Sequence, residues 1–528
     1  QRQMHPASAN ELSVASPKDS GLGMCEHGNG FPLNSSPTNG DLTLRVLLLS
    51  GRDAVVSASL SSAVGDLKAK AEKLLGQGCL KLISPDGDVL NPRLGLNIAG
   101  LEDGDTLNAV AQEVKLAATD RAFAWYCGAN IGTRGHPNDG GESHQVREPL
   151  TEVLRIQSTS HAFAAILANG SVVTWGDPKY GGNSGEVQEQ LQDICEIQAT
   201  SFAFAAITVE RRVVTWGDRL SGGDSEGVQV QLRDVKVIQA SKGAFAAILE
   251  DGQVVTWGDP RHGGDSSSVQ DQLRKVKEIQ ATSSAFAALL ENGTVVTWGH
   301  SDYGGDSSKF QLELQDVHQI QASRRAFAAI LADGTAVSWG DLHGGGNSRR
   351  VHSQLKHIKA IQASFSAFAA ILEDGSVVTW GDPSRGGDSS KVKDQLVDVK
   401  HIQAAAAAFV GIRGDGSVIV WGDENYGGDN IEVQRQLKGQ KVRQIQATRT
   451  AFAAILEDDG SVVTWGDKYG GGDSARVHDQ LHNIKQIQAS SYAFAALRSD
   501  GTAISWGLLE CGGDISQHSA NLFPKFSA

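Results

Sequence analysis

Aromatic residues are scarce in this chain of 528 residues, at 6%. All ten Trp lie beyond residue 120, at near-regular intervals, so they mark architecture rather than scattered core positions. No stretch of eighteen apolar residues occurs, and no basic segment followed by a hydrophobic one opens the sequence, so neither membrane insertion nor secretion has support. The five cysteines, Cys25, Cys79, Cys127, Cys195 and Cys511, lack paired spacing. That argues against a disulfide framework and a zinc site, and the simpler expectation is reduced thiols in an intracellular protein, cytoplasmic or nuclear. A long Lys/Arg cluster is also missing, and the formal charge of -14 opposes the counterion release that drives most nucleic-acid and acidic-membrane binding. No nucleic-acid partner is expected. The first residue is Gln1 rather than Met, which leaves open an upstream targeting signal or additional domain.

The chain is too long for one ordinary core. Residues 1–40, rich in Ser, Pro, Asn and Gly, offer too little apolar surface to offset chain entropy and read as a disordered tail. From Asp41 the character changes. Leu42–Leu49 reads as a strand, Ser50–Asp53 as a turn and Ala54–Leu60 as the second hairpin strand. Val64, Leu67, Ala71, Leu74 and Leu75 fall at three- and four-residue spacing, which predicts a helix over Ser62–Leu75 that Gly76 terminates. Strands at Leu80–Ser84, Asp88–Leu90 and near Ala109–Val114 follow, giving the order of a small α+β β-grasp domain over 41–113.

The rest, 114–528, is a repeat. Trp-Gly pairs begin at Trp175, Trp216, Trp257, Trp298, Trp339, Trp380, Trp421, Trp465 and Trp506, spaced by 41 residues six times, then 44, then 41. A typical copy contains Ala285-Phe286-Ala287-Ala288-Leu289-Leu290, then Asn292-Gly293, then Thr294-Val295-Val296-Thr297-Trp298-Gly299. The alanine-rich stretch alone is ambiguous between helix and strand. Its neighbours decide for strand, because eight of nine copies follow it with Asn-Gly or Asp-Gly, the strongest short hairpin signal. The exception is Val209-Glu210-Arg211-Arg212. Each copy is therefore a β-meander, and a period near 41 matches the roughly 40–45 residues of a four-stranded propeller blade. A tenth, degenerate copy is expected around Ala122-Phe123-Ala124-Trp125 and Gly140-Gly141-Glu142-Ser143. The last copy stops short of its Gln-Leu strand, which Val146–Ile156 would supply from the other end to close a ring. The fold expected is an all-β repeat array, a large closed β-propeller by preference and an open β superhelix as the alternative.

Two resemblances add to this reading. Val64-x-x-Leu67-Lys68-x-Lys70, Leu80-Lys81-Leu82 and Gly100-Leu101-x-Asp103-Gly104-x-Thr106-Leu107 make the first domain similar to ubiquitin-like domains, although it runs on through Gln112-Glu113-Val114 with no free Gly-Gly terminus. That resemblance implies a docking surface, often for ubiquitin-pathway or proteasomal proteins. The repeat pattern Ile-x-Ala-x-x-x-x-Phe-Ala-Ala-Ile-Leu-x-Asp-Gly-x-Val-x-x-Trp-Gly resembles that of the regulator of chromosome condensation family, which is a propeller. It departs from that family in having shorter units and Gly263-Gly264-Asp265-Ser266 where the family tends to have Gly-Gln-Leu-Gly.

Function then divides three ways. The leading expectation is a non-catalytic scaffold that binds a protein partner and is linked to the ubiquitin pathway. The second is a fragment or relative of HERC-type ubiquitin ligases lacking the catalytic HECT domain. The third is guanine-nucleotide exchange, implied only by the family's founding member. No triad, phosphate loop or kinase signature supports catalysis, and no cofactor is expected. The paired carboxylates Asp259/Asp265 and Asp382/Asp388 raise the possibility of calcium, but tight turns demand the same residues, so no metal site is expected. The Trp residues are expected to pack between blades. In a meander the loop before Ala-Phe and the loop after Trp-Gly share one end of the blade, and both vary between copies. Their side chains Tyr180, His262, Tyr303, Arg324, Arg325, Phe365, Tyr426, Tyr469 and Tyr492 are the expected partner-binding face.

Overall fold

The computed structural model describes residues 41–76, 79–92, 94–128, 130–142, 152–428 and 431–513. The expected disordered tail, residues 1–40, lies outside them. Strands β1 (Asp41–Leu48), β2 (Asp53–Ser59), β3 (Leu80–Ile83) and β4 (Thr106–Ala111) form one mixed sheet in the order β2-β1-β4-β3, with β1 and β4 parallel. Helix α1 (Val64–Leu75) buries Val64, Leu67, Ala71 and Leu75 against it. Asp66 accepts a hydrogen bond from the Ala63 backbone at its start, and Gly76 stops it with φ +57. Leu74, expected on the inner face, is 62% exposed, at the margin of that stripe in the last turn of the helix. Asp88–Leu90 forms only an isolated bridge, Ile83 to Val89, rather than a strand.

Ten three-stranded antiparallel sheets follow. Unit 1 comprises Lys115–Ala118, Ala122–Cys127 and Asn130–Gly135; unit 2 comprises Val153–Ser158, Ala162–Leu167 and Val172–Gly176. Units 3 to 9 begin at Ile194, Val235, Val276, Val317, Ile358, Val399 and Val442, and unit 10 ends with Ala503–Gly507. The tenth, degenerate copy is thus a full meander. Among the described residues no unit has a fourth strand. In most units the Val-x-x-Gln-Leu segment is a 3-10 turn, as at Gly185–Gln190 and Ser267–Gln272. In four units the first residue after that Val or Phe is a Gln whose side chain takes the pairing role. Gln188 Nε2 donates to the Val172 carbonyl at 2.9 Å and Ser184 Oγ bonds Gln188 Oε1 at 2.8 Å, and Gln229, Gln270 and Gln311 donate likewise to Val213, Val254 and Val295. Val146–Thr151 lie outside the described residues, and Val153–Ser158 opens unit 2 instead of completing the last copy.

Each middle strand is buried along nearly its whole length, and alanine lets neighbouring sheets approach closely. Ala203, Ala205 and Ile207 of unit 3 pack on Phe245 and Ala247 of unit 4, and the pattern recurs around the array. The Trp joins this packing, as expected. Trp216 stacks on Phe204 at 5.1 Å, and its indole N–H donates to Gly181 O of the preceding unit at 3.1 Å. Gly181 sits so close that a Cβ would lie 2.5 Å from Phe204, and one on Gly182 would lie 2.4 Å from the Gly176 backbone, which together explain the Gly-Gly pair.

The array closes. Within the loop between the first two strands, the Asp120 N–H donates to Ser160 O at 3.1 Å and Ser160 to Ser201 at 3.0 Å. The series continues through Lys242, Ser283, Arg324, Phe365, Ala406 and Arg449 to Ser491. The Ser491 N–H then donates to Asp120 O at 3.1 Å, completing a ring of ten bonds. At this seam Gly512 takes up the usual glycine position against Phe123, and Arg121 pairs with Glu510 at 2.9 Å.

Cysteine chemistry differs from the expectation. Cys79, next to β3, and Cys127, at the end of the second strand of unit 1, are joined in a disulfide. They are 48 residues apart in sequence, but β4 leads straight into unit 1 and brings them together. Lys81 and Gln112 both reach Glu152 across the same junction, at 3.6 and 3.3 Å. Cys195 and Cys511 are free thiols. Among the described residues, no helix is long and apolar enough to cross a membrane.

Candidate functional site

The loop between strands one and two and the loop after Trp-Gly are tied to each other by one hydroxyl. Thr200 Oγ1 accepts from the Ala203 N–H at 2.9 Å and donates to Ser221 O, in the other loop, at 3.1 Å. Thr119, Thr159, Ser241, Thr282, Ser323, Ser364, Thr448 and Ser490 make the same tie to the carbonyls of Asp139, Tyr180, His262, Tyr303, Gly344, Arg385, Gly470 and Cys511. Unit 8, with Ala405, lacks the hydroxyl. The result is a rim on which variable side chains stand on a fixed backbone.

Several of the expected residues meet there. Arg325 lies over the Tyr303 ring at 4.9 Å from its centroid, Arg324 over Phe365 at 5.5 Å and Arg449 over Tyr492 at 5.8 Å. Tyr180 packs with His161 at 4.9 Å and Phe202 at 5.1 Å. Tyr469 is 65% exposed beneath Lys468. His262 instead closes back on its own turn, with Nδ1 3.1 Å from Asp259. Tyr303 and Tyr426 are half-buried against the clusters that hold Trp339 and Trp465, so framework packing claims part of each side chain.

The aspartates that suggested calcium are occupied by turns. Asp259 accepts from the Arg261 N–H and Asp265 from the Ser267 N–H, both at 2.9 Å; Asp382 and Asp388 do the same for Ser384 and Ser390. Burial pushes the Asp259 carboxyl up, but the Arg261 side chain and backbone and His262 outweigh it and bring its pKa down to about 2. Asp265 and Asp388 are also held below the usual range, first by those backbone N–H groups.

Sequence reasoning missed the hydroxyl tie and a second rim feature, Asp139. This buried carboxylate receives His161 Nδ1 at 2.6 Å from the next unit, with His136 and Arg121 at 3.1 and 3.6 Å. The tie had a signal, since Thr or Ser follows Gln-Ala in most copies. Asp139 had none, because it occupies the position where other units carry Tyr180, His262 or Tyr303.

Together, the three-stranded sheets and the closed ring of bonds define the class: a β-propeller-type repeat array. No protein-family model matches the chain, and no curated protein matches it. Among solved structures it is similar to human WBSCR16, at 17% identity, covering 43% of this chain and 77% of that one with a TM-score of 0.29. It is similar also to Prp20p from Saccharomyces cerevisiae, at 15% identity, 51% and 83% coverage and TM-score 0.30. A third is the CRINKLY ectodomain of the Arabidopsis thaliana receptor kinase ACR4, at 16% identity, 50% and 90% coverage and TM-score 0.28.

Proposed function

We propose that this chain is a non-catalytic protein-interaction scaffold whose partner docks on the rim of tied loops. We further propose that residues 41–113 form a ubiquitin-like module linking it to ubiquitin-pathway proteins. The hydroxyl tie carries the reading. Nine of ten units spend a buried Ser or Thr on locking two loops whose remaining positions differ from unit to unit. Rigid placement of Arg and Tyr lowers the entropic cost of binding, and these residues dominate interface energetics. For the first module, the exposed apolar side chains Leu49 and Val55 are the natural docking candidates.

The test is recovery of partners from lysate by the full chain. Arg324→Ala with Tyr469→Ala removes two exposed rim side chains and is expected to lower recovery several-fold at an unchanged melting midpoint. Glu291→Ala, beside a turn at the opposite end of the unit, serves as control. Equal recovery by the wild type and the rim variant would sink the scaffold reading.

A further inference from the structure

One place on the rim has more cationic donors than the protein uses. Between units 6 and 7 a cavity of about 390 Å³ opens, walled by the Tyr303 and Phe365 rings and by Arg324, Arg325 and Arg385. The two carboxylates in its wall are already engaged. Asp341 Oδ1 accepts the Gly344 N–H at 2.6 Å, and Asp382 Oδ1 accepts both the N–H and the hydroxyl of Ser384. Their contacts to Arg325 and Arg385, at 3.6 and 3.4 Å, are too long for strong charge-assisted bonds. The Arg325 Nε is buried without a hydrogen-bond partner, and among the described residues no carboxylate pairs with Arg324. Meanwhile the guanidinium carbons of Arg324 and Arg325 lie over the Phe365 and Tyr303 rings, 5.5 and 4.9 Å from the centroids, so cation–π contacts hold both groups at the cavity wall.

We infer that this cavity is the anchor site for an acidic side chain of a protein partner, a Glu or Asp carboxylate held between Arg324 and Arg325. The inference rests on the scaffold reading above and gives it a chemistry. A planar carboxylate matches the arginine fork in two parallel bonds, and the cavity falls in the size range of small-ligand sites, about 300–1,000 Å³. The two wall carboxylates disfavour a continuous phosphate backbone, which would have to track past them, more than a single carboxylate on a flexible side chain.

Fluorescence anisotropy on the full chain with a labelled hexaglutamate peptide tests this. The comparison probes are hexaglutamine, a phosphoserine peptide and a single-stranded oligonucleotide. Hexaglutamate is expected to bind at least tenfold more tightly than hexaglutamine. Arg324→Gln, at an exposed position, is expected to remove most of that difference, and Arg325→Lys to weaken it while keeping the charge. Arg261→Gln, another exposed rim arginine already bound to Asp259, is expected to leave binding unchanged. The inference is overturned by equal binding of the two hexapeptides, by Arg324→Gln binding like wild type, or by tighter binding of the phosphopeptide or the oligonucleotide. Partner recovery from lysate separates the two ideas. If wild type and Arg324→Gln recover the partner equally, and only Tyr469→Ala reduces recovery, the anchor fails and the scaffold stands.

Discussion

At the residue scale, one backbone position shows what the hairpins require. Gly375 closes its turn with φ +79, and a Cβ there would lie 2.8 Å from the Asp398 Cα. Gly375→Val is therefore expected to cost about 2–3 kcal/mol, read as a lower denaturant midpoint; an unchanged midpoint would contradict the geometry. Unit 3 supplies the natural counterpart. Its turn has no glycine, yet Arg211 adopts φ +63 and its carbonyl still accepts the Val235 N–H as Gly170 accepts that of Ile194. Arg211→Gly should relieve the left-handed strain and raise stability by about 1 kcal/mol. The exceptional sequence was thus visible in advance, but its normal turn was not, because backbone hydrogen bonds to Thr208 and from Val235 hold Arg211 where local preference would not place it.

At the scale of elements, the hydroxyl tie predicts opposite outcomes in two units. Thr200→Val removes a buried bond to the Ser221 carbonyl and should cost about 1 kcal/mol, whereas Ala405→Ser gives unit 8 the tie it lacks and should gain a similar amount. Matched thermal melts would decide; a loss at both sites would mean that unit 8 is built differently. The turns make a further prediction, about acid. Asp333, Asp374 and Asp415 are held below their ordinary pKa of 3.8 mainly by the hydroxyl two residues on. For Asp265, Asp306 and Asp388 the backbone N–H leads. Their folded values lie below the unfolded one, so their contribution is complete above about pH 4 and disappears as pH falls through the folded values, towards 2 for Asp259. The melting midpoint should hold from pH 7 to about pH 4 and then fall; a flat profile to pH 3 would count against it. The strands themselves were legible because nine copies repeat the β-branched run before Trp-Gly and eight of them the Asp-Gly or Asn-Gly turn. The Val-x-x-Gln-Leu segment was misread as a fourth strand because its apolar spacing suits either, and only the Gln188 side chain, bonded to the Val172 carbonyl, shows that a side chain replaces the ladder. The site was half legible. Loop variation marked the rim, but the cavity joins residues from units 5, 6 and 7, and nothing local announces such a meeting.

For the whole molecule, the closing bond from Ser491 to Asp120 matters most. Ten steps of about 4.8 Å, the spacing of hydrogen-bonded strands, make a ring of backbone about 15 Å across. The disulfide between Cys79 and Cys127 fastens the first module beside the seam, where Leu497 of unit 10 meets Val114. A typical disulfide contributes about 2–4 kcal/mol, so reductant should lower the melting midpoint of the oxidised chain. An open array would fray from its ends, each unit answering only to its neighbours. Closure imposes a different rule, because the ten angles between successive sheets must sum to one full turn. A sheet tilted at one interface obliges the others to tilt back. Energies of substitutions that share no contact should therefore fail to add. Phe245→Leu and Phe452→Leu sit half a ring apart, where independent sites would combine within about 0.3–0.5 kcal/mol. The expected departure is larger than that, so the circle itself acts as the channel through which remote positions influence one another.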